Sequence, residues 1–412
     1  MFKMFKIALR NLFRYKRRTI LTTSLITFGV AFVLVFVSVT ASFKSMMIGE
    51  ITDSMLGHIQ IHKRGYVASL DNLPLNLNLA PQAFKKVEEA LTGIPEVETW
   101  SPRIKFGGVF SNFIDSTNIR LNAVDPDREW ATVPLLSSRI ISGDKTVKPG
   151  EILVPELLAK GMKVKVGDTA VVVATNEDGS VNGYQFTVSG ILRSVTGPGG
   201  RDGYIHIEDG RRILRLEEAA VSEVAIRLES FDALRHVVAR LEETLGKEKN
   251  AQGQPAFEIH DWTKLSPFYN IVRMIDVMTF SIRLMLIAVV LISIMNVMIM
   301  AVYERTREIG TIAAIGTLPG RILSLFVIEG LSLGVLGAIS GTVLGGLAVM
   351  ALNIFKIRFN FGRQQGLILN SGLDPADVLI VGLIVVVISV LACLQPAHRA
   401  SKLDPIKALH QV

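Results

Sequence analysis

The sequence predicts an integral membrane protein with four transmembrane helices and a large α+β extracytoplasmic domain inserted between the first and second helices. Three observations predict this class. Four apolar segments are each long enough for a helix to cross a bilayer core, which takes about 20 residues. One polar interval, residues 43–272, separates the first segment from the rest. The chain is 49% hydrophobic with mean hydropathy +0.41, yet 20% of its residues are charged. That is too apolar for an ordinary soluble protein and too charged for a wholly embedded one.

Residues 1–18 carry Lys3, Lys6, Arg10, Arg14, Lys16, Arg17 and Arg18 and no acid, with Phe2, Phe5, Leu9, Leu12 and Phe13 at helical spacing. This pattern predicts a basic amphipathic helix on the inner membrane surface. The first span follows within 19–42. Its apolar run exceeds a signal peptide's core of 7–15 residues, which favours an uncleaved helix. The basic cluster accounts for much of the net charge of +7 and places the N-terminus in the cytoplasm. Nucleic acid is therefore not an expected partner.

Residues 43–272 are long enough for their own core. The only cysteine, Cys393, lies in the last apolar run, so no internal disulfide is available. GHIQIHK (57–63) alternates as a strand does. PQAFKKVEEAL (81–91) reads as an amphipathic helix opened by proline. VETWSPRI, GGVFSNFI and NIRLNAVD read as short strands. Further strands fall within 151–206, and 230–245 forms a second amphipathic helix with Ser230 as N-cap. Residues 273–302 form a stalk and the second span, whose apolar run Leu284–Val302 has no charge. The third span (321–353) carries Gly330, Gly334, Gly337, Gly341 and Gly345, small residues that let helices approach closely. Residues 354–375 form an outer loop. The fourth span (376–396) is ended by Pro396, and a basic tail (397–412) has Asp404 and Pro405 placed to start a short helix.

Between the second and third spans, residues 303–320 switch abruptly to Glu304, Arg305, Arg307 and Glu308. The helical spacing then continues through Ile309, Ile312, Ala313 and Gly316 as one apolar stripe, closed by Pro319-Gly320. Spacing leaves two readings open: a solvated loop whose charges set topology, or a short amphipathic helix that docks on something. The stretch ERTREIGTIAAIG resembles the cytoplasmic coupling loop of the FtsX/MacB/LolC-type permeases of ABC transporters. The tail PAHRASKLDPIKALH and, more loosely, VGDTAVVV…FTVSGILRS…GYIHI resemble the same family. The resemblance implies that Tyr303, Glu304, Arg305, Arg307, Glu308, Ile309, Gly310, Ile312, Ala313 and Gly316 engage a separate ATPase subunit, which binds the ATP and magnesium. It implies a second permease, as a copy or a paralogue, and contact with membrane lipid and with a lipoprotein or a periplasmic adaptor. It also implies residence in the inner membrane with both termini cytoplasmic. The outer domain and its DWTKLSPFY lead-in are more similar to lipoprotein-releasing permeases than to antibiotic exporters.

The remaining constellations argue against catalysis in this chain. No G-x-x-x-x-G-K-[ST], G-x-S-x-G or H-E-x-x-H occurs. GPGGRDG (197–203) lacks the lysine of a phosphate loop. His58 and His62 share a predicted strand face, but no third ligand lies near in sequence. Glu329, inside the third span, and Asn296, inside the second, are read as helix-packing partners, Glu329 through Asn296 or an arginine. The expected function is a non-catalytic permease subunit that couples ATP hydrolysis in its partner to the outer domain and extrudes or releases a lipoprotein or lipophilic substrate. Two rivals stand beside it: an FtsX-like relay that activates a cell-wall hydrolase, and a membrane-anchored scaffold without an ATPase.

Overall fold

The computed structural model describes residues 10, 14, 16–195, 201–216, 220–356, 358–361, 364–368 and 371–404. Most of the predicted N-terminal helix, part of the glycine-rich stretch 197–203 and the tail beyond Asp404 fall outside these residues. Arg10 and Arg14 are helical and exposed. The chain divides into two units, one of Met1–Ser45, Ile271–Phe359 and Gly366–Val412, the other of Met46–Asn270 with Asn360–Gln365.

The first unit is built on the four apolar helices. Thr19–Leu56, Tyr269–Glu304, Pro319–Phe355 and Pro375–Ser401 are each long and apolar enough to cross a membrane. Their facing sides form one core that includes Ile26, Val30, Leu34, Val290, Ile294, Met298, Phe326 and Val385. The glycine row decides which helices meet. A Cβ on Gly337 would strike Ile26, and one on Gly341 would lie 2.5 Å from the Val30 Cβ, both on the first helix. A Cβ on Gly330 would strike Cys393, and one on Gly334 would strike Ser389, both on the fourth. The third helix thus packs closely against two neighbours, whose side chains fill the space a Cβ would take.

Three boundaries differ from the sequence reading. Pro319 opens the third helix at its first turn, where a missing N–H costs nothing, and does not close the segment before it. Pro396 does not end the fourth helix, which runs on to Ser401. Its ring removes one backbone bond, but Ala392, Pro396, Ala397 and Ala400 are all buried, and that packing carries the helix through. The outer loop holds a two-stranded ribbon, Arg358–Phe361 with Gln364–Ile368.

The second unit is a ten-stranded mixed sheet with helices. β1 (Ile59–Lys63), β2 (Val97–Ser111), β3 (Ser116–Val124), β4 (Ile140–Gly143), β5 (Glu151–Pro155), β6 (Thr169–Thr175), β7 (Val181–Leu192), β8 (Gly203–His206), β9 (Glu223–Leu228) and β10 (Phe257–Asp261) run in the order β10-β1-β9-β2-β3-β8-β5-β7-β4, with β6 pairing β2 and β7. VETWSPRI and the first five residues of GGVFSNFI, read as separate strands, lie in one 15-residue strand that ends at Ser111. The predicted amphipathic helices are present as Pro81–Thr92, burying Phe84, Val87 and Leu91, and Leu234–Leu245, burying Leu234, Val237, Leu241 and Leu245. Ser230 caps the 3-10 turn Phe231–Ala233 that leads into the latter.

Candidate functional site

The second helix ends at Glu304, and Arg305 breaks it with φ −112 and ψ 15. Helix ends leave carbonyls unpaired. The Thr306 hydroxyl answers this by donating to the carbonyls of Val302 and Tyr303, both at 3.0 Å. A nine-residue helix, Thr306–Ala314, follows. Gly316 stops it at φ +96, a conformation glycine adopts freely, and the Thr317 N–H reaches back to the Ile312 carbonyl at 3.2 Å.

This short helix has two unlike faces. Arg305, Thr306, Ile309 and Gly310 are buried, and Ala313 packs on the bundle core. Tyr303, Glu304, Arg307, Thr311, Ile312, Ile315, Gly316 and Leu318 are exposed, Ile315 at 80% and Tyr303 at 67%. The predicted single stripe therefore splits. At 100° per residue, Thr306, Gly310 and Ala313 lie to one side of Ile309, while Ile312 lies about 60° to the other. The bundle covers the first side and leaves Ile312 facing out.

The charges split in the same way. Arg305 donates through Nε to Glu308 at 3.0 Å and through Nη1 to Glu329 on the third helix at 3.5 Å. Its guanidinium also lies 5.9 Å from the centre of the Phe326 ring. Glu308 is reached from its other side by Arg14 at 3.4 Å. Glu329 is thus paired with an arginine, as a buried carboxylate among apolar helices requires. It is not paired with Asn296, which is exposed: the adjacent Ile294 and Met298 face the core, and two residues of helix turn Asn296 away from it. Of the ten residues assigned to the loop, Tyr303, Glu304, Arg307, Ile312 and Gly316 are exposed. Arg305, Ile309 and Gly310 serve the bundle from beneath. A cavity of about 200 Å³ adjoins the start of the short helix, lined by Val302, Tyr303 and Thr306 together with Pro396, Arg399 and Leu403 at the end of the fourth helix.

The outer unit holds a buried ionic cluster that sequence reading missed. His62, Glu223 and Arg103 stand opposite one another in register across β1, β9 and β2. Arg103, 2% exposed, contacts Glu223 at 3.0 Å and Glu129 at 2.8 Å, and Lys105 reaches Glu223 at 3.0 Å. Burial opposes ionisation of Glu223, but Lys105, His62 and Arg103 hold its carboxyl well below the usual range. Burial pushes the neighbouring Tyr204 hydroxyl up to about 12. His58 and His62, paired as conceivable metal ligands in the sequence, are engaged elsewhere. The His58 Nδ1 accepts from the Leu228 N–H at 3.1 Å, and His62 stacks on Tyr66 with its Nε2 3.4 Å from Glu223.

Within this unit, after Ile51, the helical path widens into a π-turn, Thr52–Leu56, with the Gly57 N–H reaching back to the Thr52 carbonyl. Two arginines fasten that turn: Arg227 contacts Asp53 at 2.7 Å, and Arg139 donates to the Ser54 carbonyl at 3.0 Å. π-turns frequently mark functional positions.

Comparison with known proteins agrees with this layout. The sequence matches the MacB-like periplasmic core domain over residues 19–244 and the FtsX-like permease C-terminal region over residues 280–405. It is 25% identical over 414 residues to the lipoprotein-releasing system transmembrane protein LolC of Neisseria meningitidis serogroup B, covering 95% of this chain and 93% of that protein. It is 23% identical over 342 residues to the lipoprotein-releasing system transmembrane protein LolE of Haemophilus influenzae, covering 79% and 80%. A segment of 121 residues is 40% identical to the macrolide export ATP-binding/permease protein MacB of Nitrosomonas europaea, covering 29% of this chain and 16% of that one.

Proposed function

Because the chain belongs to the permeases that join a MacB-like periplasmic core domain to an FtsX-like C-terminal region, we propose that it is the membrane subunit of an ABC transporter. Its outward-facing short helix, Thr306–Ala314, receives motion from a separate ATPase. The observation that carries this reading is the division of that helix: Arg305 and Ile309 anchor it, while Arg307, Ile312, Ile315 and Leu318 are left open. An exposed apolar group rimmed by charge marks a protein contact. ATP and magnesium belong to the partner. This chain supplies a lever and no catalytic group.

The lever has identifiable parts. Displacing the short helix drags Arg305, and the Arg305–Glu329 pair carries the displacement to the third helix. The glycine contacts pass it to the first and fourth helices. The second helix runs unbroken for 36 residues from Tyr269, about 54 Å, so a tilt at Glu304 is felt at its far end. The π-turn held by Arg139 and Arg227 ties the end of the first helix to the sheet. In this reading both termini are cytoplasmic, the membrane is the inner one, a second permease completes the complex, and the substrate is a lipoprotein or similar lipid-bearing molecule freed from the outer leaflet. Similarity to LolC and LolE along most of the chain supports that substrate class. The test is reconstitution with the ATPase in lipoprotein-loaded vesicles: release of lipoprotein with ATP but not with ADP is expected. Absent release together with ATP-dependent activation of a cell-wall hydrolase would replace transport with relay.

A further inference from the structure

Asn296 lies eight residues before the end of the second helix at Glu304, about 12 Å along the axis. It is exposed, and among the described residues no hydrogen bond reaches its carboxamide. Ile292, 60% exposed, and Met300, 54% exposed, stand one helical turn to either side, so the three share one outward stripe. Between Leu284 and Val302 that stripe carries no charge. A carboxamide has two N–H donors and an acceptor oxygen. At this depth neither water nor hydrocarbon chains satisfy them.

We propose that Asn296 faces Asn296 of a second copy of this chain, with the two second helices lying parallel across a two-fold axis. The argument for this occupant is complementarity. A two-fold axis sets a residue near it opposite itself, and an amide, being both donor and acceptor, is its own complement. A lipid headgroup would need a cation on the stripe to hold its phosphate, and there is none. A polar substrate path would need further polar groups, whereas the flanking residues are isoleucine and methionine. One asparagine in an otherwise apolar seam is also an arrangement that fixes register between paired helices. The inference rests on the reading of this protein as a permease that works in pairs, and adds which helix and which side chain make the pair.

The experiment uses two differently tagged full-length copies in a Cys393→Ala background. Single cysteines replace Ile292, Asn296 or Met300, and, as controls on the exposed side of the third helix, Ile339 or Leu347. Oxidation should join the copies through position 296 most strongly and 292 and 300 more weakly, but not through 339 or 347. Asn296→Leu should lower recovery of the second tagged copy about 5- to 30-fold, while Asn296→Gln retains it. If the copies co-purify but join only through the third helix, or if Asn296→Leu pairs as well as wild type, this assignment is overturned while the paired-permease reading stands. If the two tagged copies do not co-purify in complexes that retain the ATPase, pairing of like chains is itself excluded.

Discussion

Glu329→Gln is the perturbation that separates holding the bundle together from passing motion through it. The Arg305 and Glu329 side chains are 7% and 5% exposed and meet at 3.5 Å. Removing one partner of a buried pair typically costs about 3–5 kcal/mol, because the other charge is left uncompensated. Glu308 remains 3.0 Å from Arg305 and is 41% exposed, which offsets part of that loss. The expected cost is therefore near the lower end, about 3 kcal/mol, or roughly 150-fold in the folding equilibrium. Cys393 gives a clean readout, being the only cysteine, buried, and against Gly330. A thiol-reactive dye should report its exposure at a clearly lower temperature in Glu329→Gln than in wild type. The double variant Arg305→Met with Glu329→Leu replaces the pair with apolar groups of similar size and should recover most of the stability. It should not recover stimulation of the ATPase, because the tie between the short helix and the third helix is gone. An unchanged midpoint in Glu329→Gln would refute the energetic argument. Wild-type stimulation in the double variant would refute the coupling role.

The other predictions draw on both units. Glu223→Gln should destabilise the outer unit by about 3 kcal/mol at neutral pH, read by tryptophan fluorescence, since Trp100, Trp130 and Trp262 all lie there. Because the Glu223 carboxyl is depressed in the folded state, its contribution is present above the ordinary value of 4.5 and lost as pH falls toward the lower folded value. Wild type should therefore lose stability below about pH 4.5, and the variant should lose less over that window; parallel curves would exclude the effect. Gly341→Leu should lower the Cys393 exposure temperature, since its Cβ alone would lie 3.0 Å from the Thr27 carbonyl, and overpacking costs about 1–3 kcal/mol. Gly382→Leu, with open space around it, is the matched control and should not. An impermeant maleimide should label Asp178→Cys in intact cells and Thr311→Cys only after lysis; the reverse pattern would invert the topology.

The parts of this protein legible in its sequence are those set by local pattern. The four helices show as apolar runs because a bilayer demands length and composition together. The glycine row of the third helix shows because small residues at helical spacing have few other uses there. The short helix shows through its sharp charge boundary, but its facing did not, because Ile309 and Ile312 are alike in composition and only the bundle decides which is covered. The facing of Asn296 is hidden for the same reason: the run from Leu284 to Val302 is apolar all round, so periodicity gives no inward side. Glu329 needed Arg305, 24 residues away in sequence. β9 escaped because it is buried on both faces and shows little alternation. With it went Glu223, whose partners His62, Arg103 and Lys105 are brought together only by strand register.

The central claim is that the exposed face of Thr306–Ala314 and the residues just after it receive the ATPase. Ile315, 80% exposed, touches little within this chain, so Ile315→Asp should leave both the tryptophan and Cys393 unfolding midpoints at wild-type values; Ile312, 40% exposed, is partly covered, so Ile312→Asp should lower the Cys393 midpoint slightly and leave the tryptophan midpoint unchanged. A carboxylate forced into a desolvated apolar contact should cost about 2–5 kcal/mol of binding. The direct measurement is recovery of the ATPase with wild-type and variant permease at matched expression, together with its ATP turnover. The prediction is loss of recovery and of stimulation in both variants. Equal recovery and equal turnover would contradict the claim.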